Sequence, residues 1–167
     1  MPRETHIAYI SAGSNIGKRR ENCRRGFEAL DNSEGVSVRR ISRYYRTEPQ
    51  DYTDQEWFAN AVACVETRLE PLQLLAILQA IQRRFGRDKD AFRFGPRILD
   101  LDILLFDDRT LCTDALEIPH PRMHKRRFVL QPICDIDPNI VHPSLHQTMS
   151  QLLQNVSEEG QTLVPYP

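Results

Sequence analysis

Long apolar runs are missing. No stretch of the 167 residues approaches the ~18 consecutive apolar positions that a membrane span requires, so no membrane partner is expected. The opening residues, MPRETHIAY, hold no apolar signal core, and the expected location is the cytoplasm. Cysteines are few and far apart: Cys23, Cys64, Cys112 and Cys134 form no C-x-x-C pair. That spacing points to reduced, mostly buried thiols rather than a zinc site or a disulfide framework. An excess of one charge is missing too, since the net charge is −1, which argues against a general binder of polyanions such as nucleic acid. Repeats, low-complexity tracts and linkers are absent, so the expectation is one soluble domain over residues 1–167.

What the chain does have is concentrated charge. Six basic residues (Arg83, Arg84, Arg87, Lys89, Arg93, Arg97) stand against Asp88 and Asp90, a local excess of +4. A second excess of +4 comes from Arg122, Lys125, Arg126 and Arg127, beside His120 and His124 and without an acid. Two basic segments in a near-neutral chain suggest a defined anionic ligand, although solvated loop charges would read the same way singly.

The hydrophobic pattern orders the elements. Residues 7–12 form a short apolar strand before Gly13, and Ser14 or Asn15 is placed to cap the following helix. In that helix Ile16, Cys23, Phe27 and Leu30 make the packing side. Residues 36–46 read as one strand whose alternation slips near Arg39 and Arg40, where a bulge fits. Residues 48–56 read as a loop. Residues 58–67 alternate: Phe58, Asn60, Val62 and Cys64 share one face, and Ala59, Ala61, Ala63 and Val65 the other. Pro71 opens a helix with the stripe Leu74, Leu75, Leu78, Ile81 and Phe85, and Gly86 ends it. A basic loop leads to a strand at 99–106. The order β-α-β-β-α-β predicts an α+β fold: a ferredoxin-like antiparallel sheet with helices on one face. The proline-rich remainder reads as a C-terminal elaboration with short helices, one of them over 149–156.

The chemistry centres on D-L-D at 100–102. A side-chain period of two puts Asp100 and Asp102 on one face, their backbones roughly 6.6 Å apart, with Leu101 and Ile103 pointing into the core. Paired carboxylates repel, and Mg²⁺ relieves that repulsion while accepting phosphate oxygens and water. D-x-D alone also occurs on exposed strand faces. The loop before it adds cations, two aromatics and glycines near its ends, the donors that phosphoryl transfer needs and the hinges of a lid. The segment around Gly13 and Lys18 is not a P-loop: an alanine replaces the first glycine, and Arg19 stands where the hydroxyl belongs. Phe58 could stack on a flat heterocycle while Asn60 reads its edge, with core packing and a turn role as the alternatives. His120, between two prolines, could donate to phosphate or be structural.

Five stretches, AYISAGSNIG, YYRTEP, FANAV, FGRDKDAFRFGPRILDLDILLF and IPHPRMHKRRFVLQPICDIDP, together resemble the 6-hydroxymethyl-7,8-dihydropterin pyrophosphokinases of folate biosynthesis. The resemblance runs from about residue 8 to residue 143, and G-P-R-x-L-D-L-D-I is its most specific segment. It implies transfer of diphosphate from ATP to the pterin alcohol, giving AMP, with two Mg²⁺ ions bound by Asp100 and Asp102. Arg87, Arg97, Asp100 and Asp102 would form the catalytic group. Gln79, Arg87, Lys89, Arg93, Arg97, Ile103, His120 and Arg126 would serve the nucleotide, Lys89 and Arg93 from a closing loop. Thr47, Phe58, Asn60, Phe94 and Phe128 would hold the pterin. The resemblance also implies a monomer, with contact to other folate enzymes conceivable.

Four positions depart from the family pattern. Gln82 replaces a glutamate, Phe94 a tryptophan, Ile98 a threonine and Asp51 a glycine, the last suggesting another path for the acceptor loop. Two rival readings are an Mg-dependent nucleotidyl transferase and an RNA-binding ferredoxin-like module. The second lacks its aromatic-rich strand motif here.

Overall fold

The computed structural model describes residues 4–86 and 95–167. The chain runs β1 (His6–Ser14), α1 (Arg19–Asp31), β2 (Val36–Ile41), β3 (Tyr45–Thr47), β4 (Phe58–Thr67), α2 (Pro71–Arg84) and β5 (Asp100–Phe106). The elaboration adds β6 (Leu111–Cys112), β7 (Glu117–Ile118), a 3-10 turn at Met123–Lys125, α3 (Arg127–Ile136), α4 (Met149–Asn155) and β8 (Leu163–Pro165). The main sheet is ordered β5-β1-β4-β3-β8, with β2 also paired to β4. Every pairing among the described residues is antiparallel. This is the expected α+β ferredoxin-like arrangement, with β8 as an added edge strand.

Alternation along β4 decides how the layers pack. Ala59, Ala61, Ala63 and Val65 join Cys23, Phe27, Leu30, Leu74, Leu78 and Ile81 in the core under α1 and α2. The small alanines let the helices sit close, and each buried Leu or Ile stabilises by roughly 1.5–3 kcal/mol. A capping box between Glu70 and Gln73 and a proline in the first turn start α2. Gly86, at φ 77°, follows its end. On the opposite face Val62 and Cys64 pack with Leu104, Leu105, Val129, Leu130, Ile133 and Met149. Helices therefore cover both faces, where one was expected; α3 and α4 of the elaboration supply the second layer.

Three local expectations change. Residues 36–46 split into β2 and β3, because Ser42 takes over the ladder: its N–H donates to the Val62 carbonyl and its Oγ accepts the Val62 N–H. The predicted bulge lies at Arg39, skipped between the pairs Val38↔Val65 and Arg40↔Cys64. Neither Ser14 nor Asn15 caps α1, which starts after Lys18 without a side-chain cap. Asn22 Nδ2 instead donates to Ser14 Oγ, and Ile16 is 41% exposed, outside the packing stripe. All four cysteines are free thiols; Cys23 and Cys64 are buried, Cys134 half-buried and Cys112 exposed. No helix among the described residues is long and apolar enough to cross a membrane.

Candidate active site

The sheet order brings the two expected polar faces together across one small strand. β1 lies between β5 and β4, and Gly13 pairs with Asp100 on one side and Asn60 on the other. Ser11 likewise pairs with Asp102 and with Val62. Small residues on β1 leave an open floor between the carboxylates and the amide. Gly13 is required there, since a Cβ at this position would stand 2.8 Å from Asn60 Nδ2. Above this floor is an open cleft, lined by Thr47, Phe58, Asn60, Asp100, Asp102, His120, Arg126 and Phe128 among others.

Asn60 is held in one orientation. Its Oδ1 accepts the Thr47 hydroxyl and its Nδ2 donates to the Ala12 carbonyl at 3.4 Å. Thr47 is 2% exposed and Asn60 7%, so neither amide nor hydroxyl is free to turn in water. Phe58 and Phe128 are half-buried, and the Arg126 guanidinium lies 5.3 Å from the Phe128 ring centre. One cleft thus holds an aromatic, amide-lined end and a charged end.

A bulge shapes the charged end. Ile10 pairs with Ile103 and Tyr9 with Leu105, so Leu104 is the extra residue on β5. Its carbonyl accepts the His120 N–H at 2.9 Å, which brings the segment after β7 against the aspartate strand. Arg97 sits behind Asp100, with Nε 3.9 Å from the buried Oδ1. Asn15 fixes the approach: its Oδ1 accepts the Arg97 N–H at 2.7 Å, and its own N–H donates to the Arg97 carbonyl at 2.9 Å. The start of β5 is pinned from α2, where buried Gln82 accepts the Leu101 N–H at 2.8 Å.

Not every expected residue joins the cleft. Ile103 is 2% exposed in the core under the helices, and Gln79 is exposed on α2; neither side chain lines the cleft. Arg87, Lys89, Arg93 and Phe94 lie outside the described residues.

Residues 9–138 match the family described as 7,8-dihydro-6-hydroxymethylpterin-pyrophosphokinase (HPPK). The chain belongs to that family. It is 43% identical over 131 residues to the 2-amino-4-hydroxy-6-hydroxymethyldihydropteridine pyrophosphokinase of Bacillus subtilis, covering 78% of each chain. It is 38% identical to the protein of the same name from Pseudomonas aeruginosa, covering 94% of this chain and 96% of that one. The folic acid synthesis protein fol1 of Schizosaccharomyces pombe is 40% identical over 92% of this chain, which spans 21% of the longer protein. Among solved structures, the Plasmodium falciparum HPPK-DHPS with pteroate superposes with a TM-score of 0.74 at 16% identity. It covers 92% of this chain and 43% of that one, and the likeness concerns the fold.

Two features of this candidate site are decided by tertiary contacts. The sequence places Gly13 at the end of a strand and Asn15 at a cap, but their pairing with Asn60 and Arg97 depends on which segments become neighbours. Asp51, in the loop after β3, has φ 60°, the left-handed conformation that glycine also adopts. A glycine could adopt the same backbone there, and the Asp51 carboxylate lies 3.8 Å from Arg122 Nη1.

The His120 imidazole is depressed to about 4, by burial first and then by Arg126 and Arg122. Its Nδ1 accepts the Arg122 N–H at 3.1 Å, so the neutral ring carries its proton on Nε2. An unfolded histidine titrates near 6.5, so acid favours the unfolded chain. This contribution to stability is whole above pH 6.5 and declines as pH falls toward 4, by at most about 1.4 kcal/mol per pH unit. Urea unfolding midpoints measured from pH 7 to pH 4 are expected to fall less steeply for His120→Gln than for the parent. Parallel curves would overturn the assignment.

Proposed function

We propose that this cleft transfers diphosphate from ATP to 6-hydroxymethyl-7,8-dihydropterin, giving AMP and the pterin diphosphate of folate synthesis. The observation that carries the reading is the single cleft in which a fixed amide and two aromatic rings face two carboxylates, a neutral histidine and an arginine. The flat pterin lies between Phe58 and Phe128, and Asn60 and Thr47 read its edge. Its hydroxymethyl oxygen attacks the β-phosphorus of ATP. The bond from that phosphorus to the oxygen shared with the α-phosphate breaks, AMP leaves, and the hydroxyl proton passes to solvent. Because such a transition state is loose, positioning and charge neutralisation supply most of the rate, and a strong general base is unnecessary.

The donor set suits Mg²⁺: two neighbouring carboxylates on a rigid strand, open to the cleft, with Ser11 rather than a bulky side chain alongside. Two ions, held by Asp100 and Asp102, would neutralise the triphosphate and polarise the β-phosphoryl group. Arg126 and the Nε2–H of His120 donate to phosphate oxygens, and Arg97 holds Asp100 in place. Arg87, Lys89 and Arg93 would add phosphate donors from the adjoining segment, and Phe94 an aromatic contact to the pterin. Gln79 and Ile103 could reach the nucleotide only by contacts other than cleft-lining side chains. The longer fol1 and HPPK-DHPS chains support a place for this unit beside other folate enzymes; our reading for this chain is a cytoplasmic monomer with one domain over residues 1–167.

Product analysis tests the reaction. Protein, Mg²⁺, ATP and the reduced pterin should yield equal amounts of AMP and pterin diphosphate by mass spectrometry. ADP would indicate transfer of one phosphate. Pyrophosphate with an adenylylated acceptor would favour the nucleotidyl transferase.

A further inference from the structure

The two walls of the cleft come from distant parts of the chain, Glu48 and Gln50 on one side and Arg126 and Phe128 on the other. Residues 160–162, which lie past the segment matched by the family, bind both. On the first wall, Glu48 N–H donates to the Thr162 carbonyl at 3.0 Å, and Thr162 N–H returns a bond to Glu48 Oε1 at 3.1 Å. Gln50 Nε2 donates to the Gly160 carbonyl at 2.7 Å.

On the second wall the contacts run through one residue. Gln161 Oε1 accepts the N–H of Arg127 at 2.9 Å. Its Nε2 donates to the carbonyls of Lys125 and Ser157, at 3.1 and 3.0 Å. Its backbone carbonyl accepts from Arg127 Nη1 at 2.9 Å. Arg127 is the first residue of α3, and Arg126 before it provides no side-chain cap. The Gln161 amide therefore satisfies one of the donors that a helix start leaves open. In doing so it brackets Arg126 from both sides, bonding the residue before it and the residue after it.

The geometry points to Gln161 as a positioning residue: it sets Arg126 and Phe128 at their distance from the Glu48–Gln50 wall without lining the cleft itself. The inference rests on the reaction proposed above, because its consequence is the alignment of pterin and triphosphate. Small misplacements of such groups are costly in rate.

Gln161→Ala is expected to raise the KM for the pterin and lower kcat, each by roughly tenfold, as one wall loosens. The melting temperature should move little, because Gln161 is half-exposed on a surface segment. Gln161→Glu keeps an oxygen for the Arg127 N–H but turns its other oxygen against the Lys125 and Ser157 carbonyls, so it should recover only the part of the loss that depends on the start of α3. Amide hydrogen exchange at residues 127–129, measured without substrate, should accelerate in Gln161→Ala and return toward the parent rate in Gln161→Glu. A lowered melting temperature with unchanged KM and kcat would make Gln161 merely structural and overturn the proposal, as would unchanged exchange. A parent enzyme that makes no pterin diphosphate yet shows the exchange pattern would reject the reaction while leaving the clamp in place.

Discussion

Asp100→Ala and Asp102→Ala should each lower kcat by on the order of 10³-fold or more while leaving a folded protein. Removing one donor that stabilises developing charge costs about 10²–10³-fold in acyl transfer, and in phosphoryl transfer one charge-stabilising arginine is worth about 10³–10⁵-fold. Loss of a ligand shared by both ions costs at least as much. Folding is spared because the strand's core contacts come from Leu101, Ile103 and Phe106, which the substitutions leave alone. Relieving carboxylate repulsion should even raise the melting temperature of the metal-free variants slightly. Steady-state kinetics over a Mg²⁺ titration, with circular dichroism as the control for folding, reads both effects. Near-parental turnover in both variants would remove the metal assignment.

Asn60→Ala should weaken pterin binding by about 2–3 kcal/mol, roughly 30- to 150-fold, with less than about a threefold change for ATP. The size reflects two losses. The pterin loses its amide partner, and the buried Thr47 hydroxyl loses the oxygen it donates to. The selectivity follows from where Asn60 stands: Gly13 and the width of β1 separate it from the aspartates. Isothermal titration of each ligand separately gives the comparison. Equal losses for both ligands would place Asn60 in general support of the fold.

Much of this site was legible along the chain because its parts are local. The period of two in D-L-D put both carboxylates on the face away from the core, and the same period put Phe58 and Asn60 together on β4. The alanine row opposite them marked the face that receives α1 and α2. The motif set carried the fold class, since the β-α-β-β-α-β order admits few sheets. The cap assigned to Ser14 or Asn15 failed for a non-local reason: Arg97, 82 residues away, claims Asn15. Ile16 failed for a local reason: it precedes α1, in a turn with Gly17 at φ 71° that leaves it 41% exposed.

The sequence by itself determined which residues carry charge, which carry rings and which faces of single strands they share. Those properties follow from side-chain chemistry and the pleat of one strand. Only the tertiary structure decided that β1 stands between the aspartates and the amide, so that Gly13 must be small. Only it placed the extra residue of the β5 bulge where its carbonyl receives His120. It alone carried residues 160–162 back to both walls of the cleft. These are pairings over long sequence separations, selected by the burial of two helix-covered faces at once, and no local pattern encodes them.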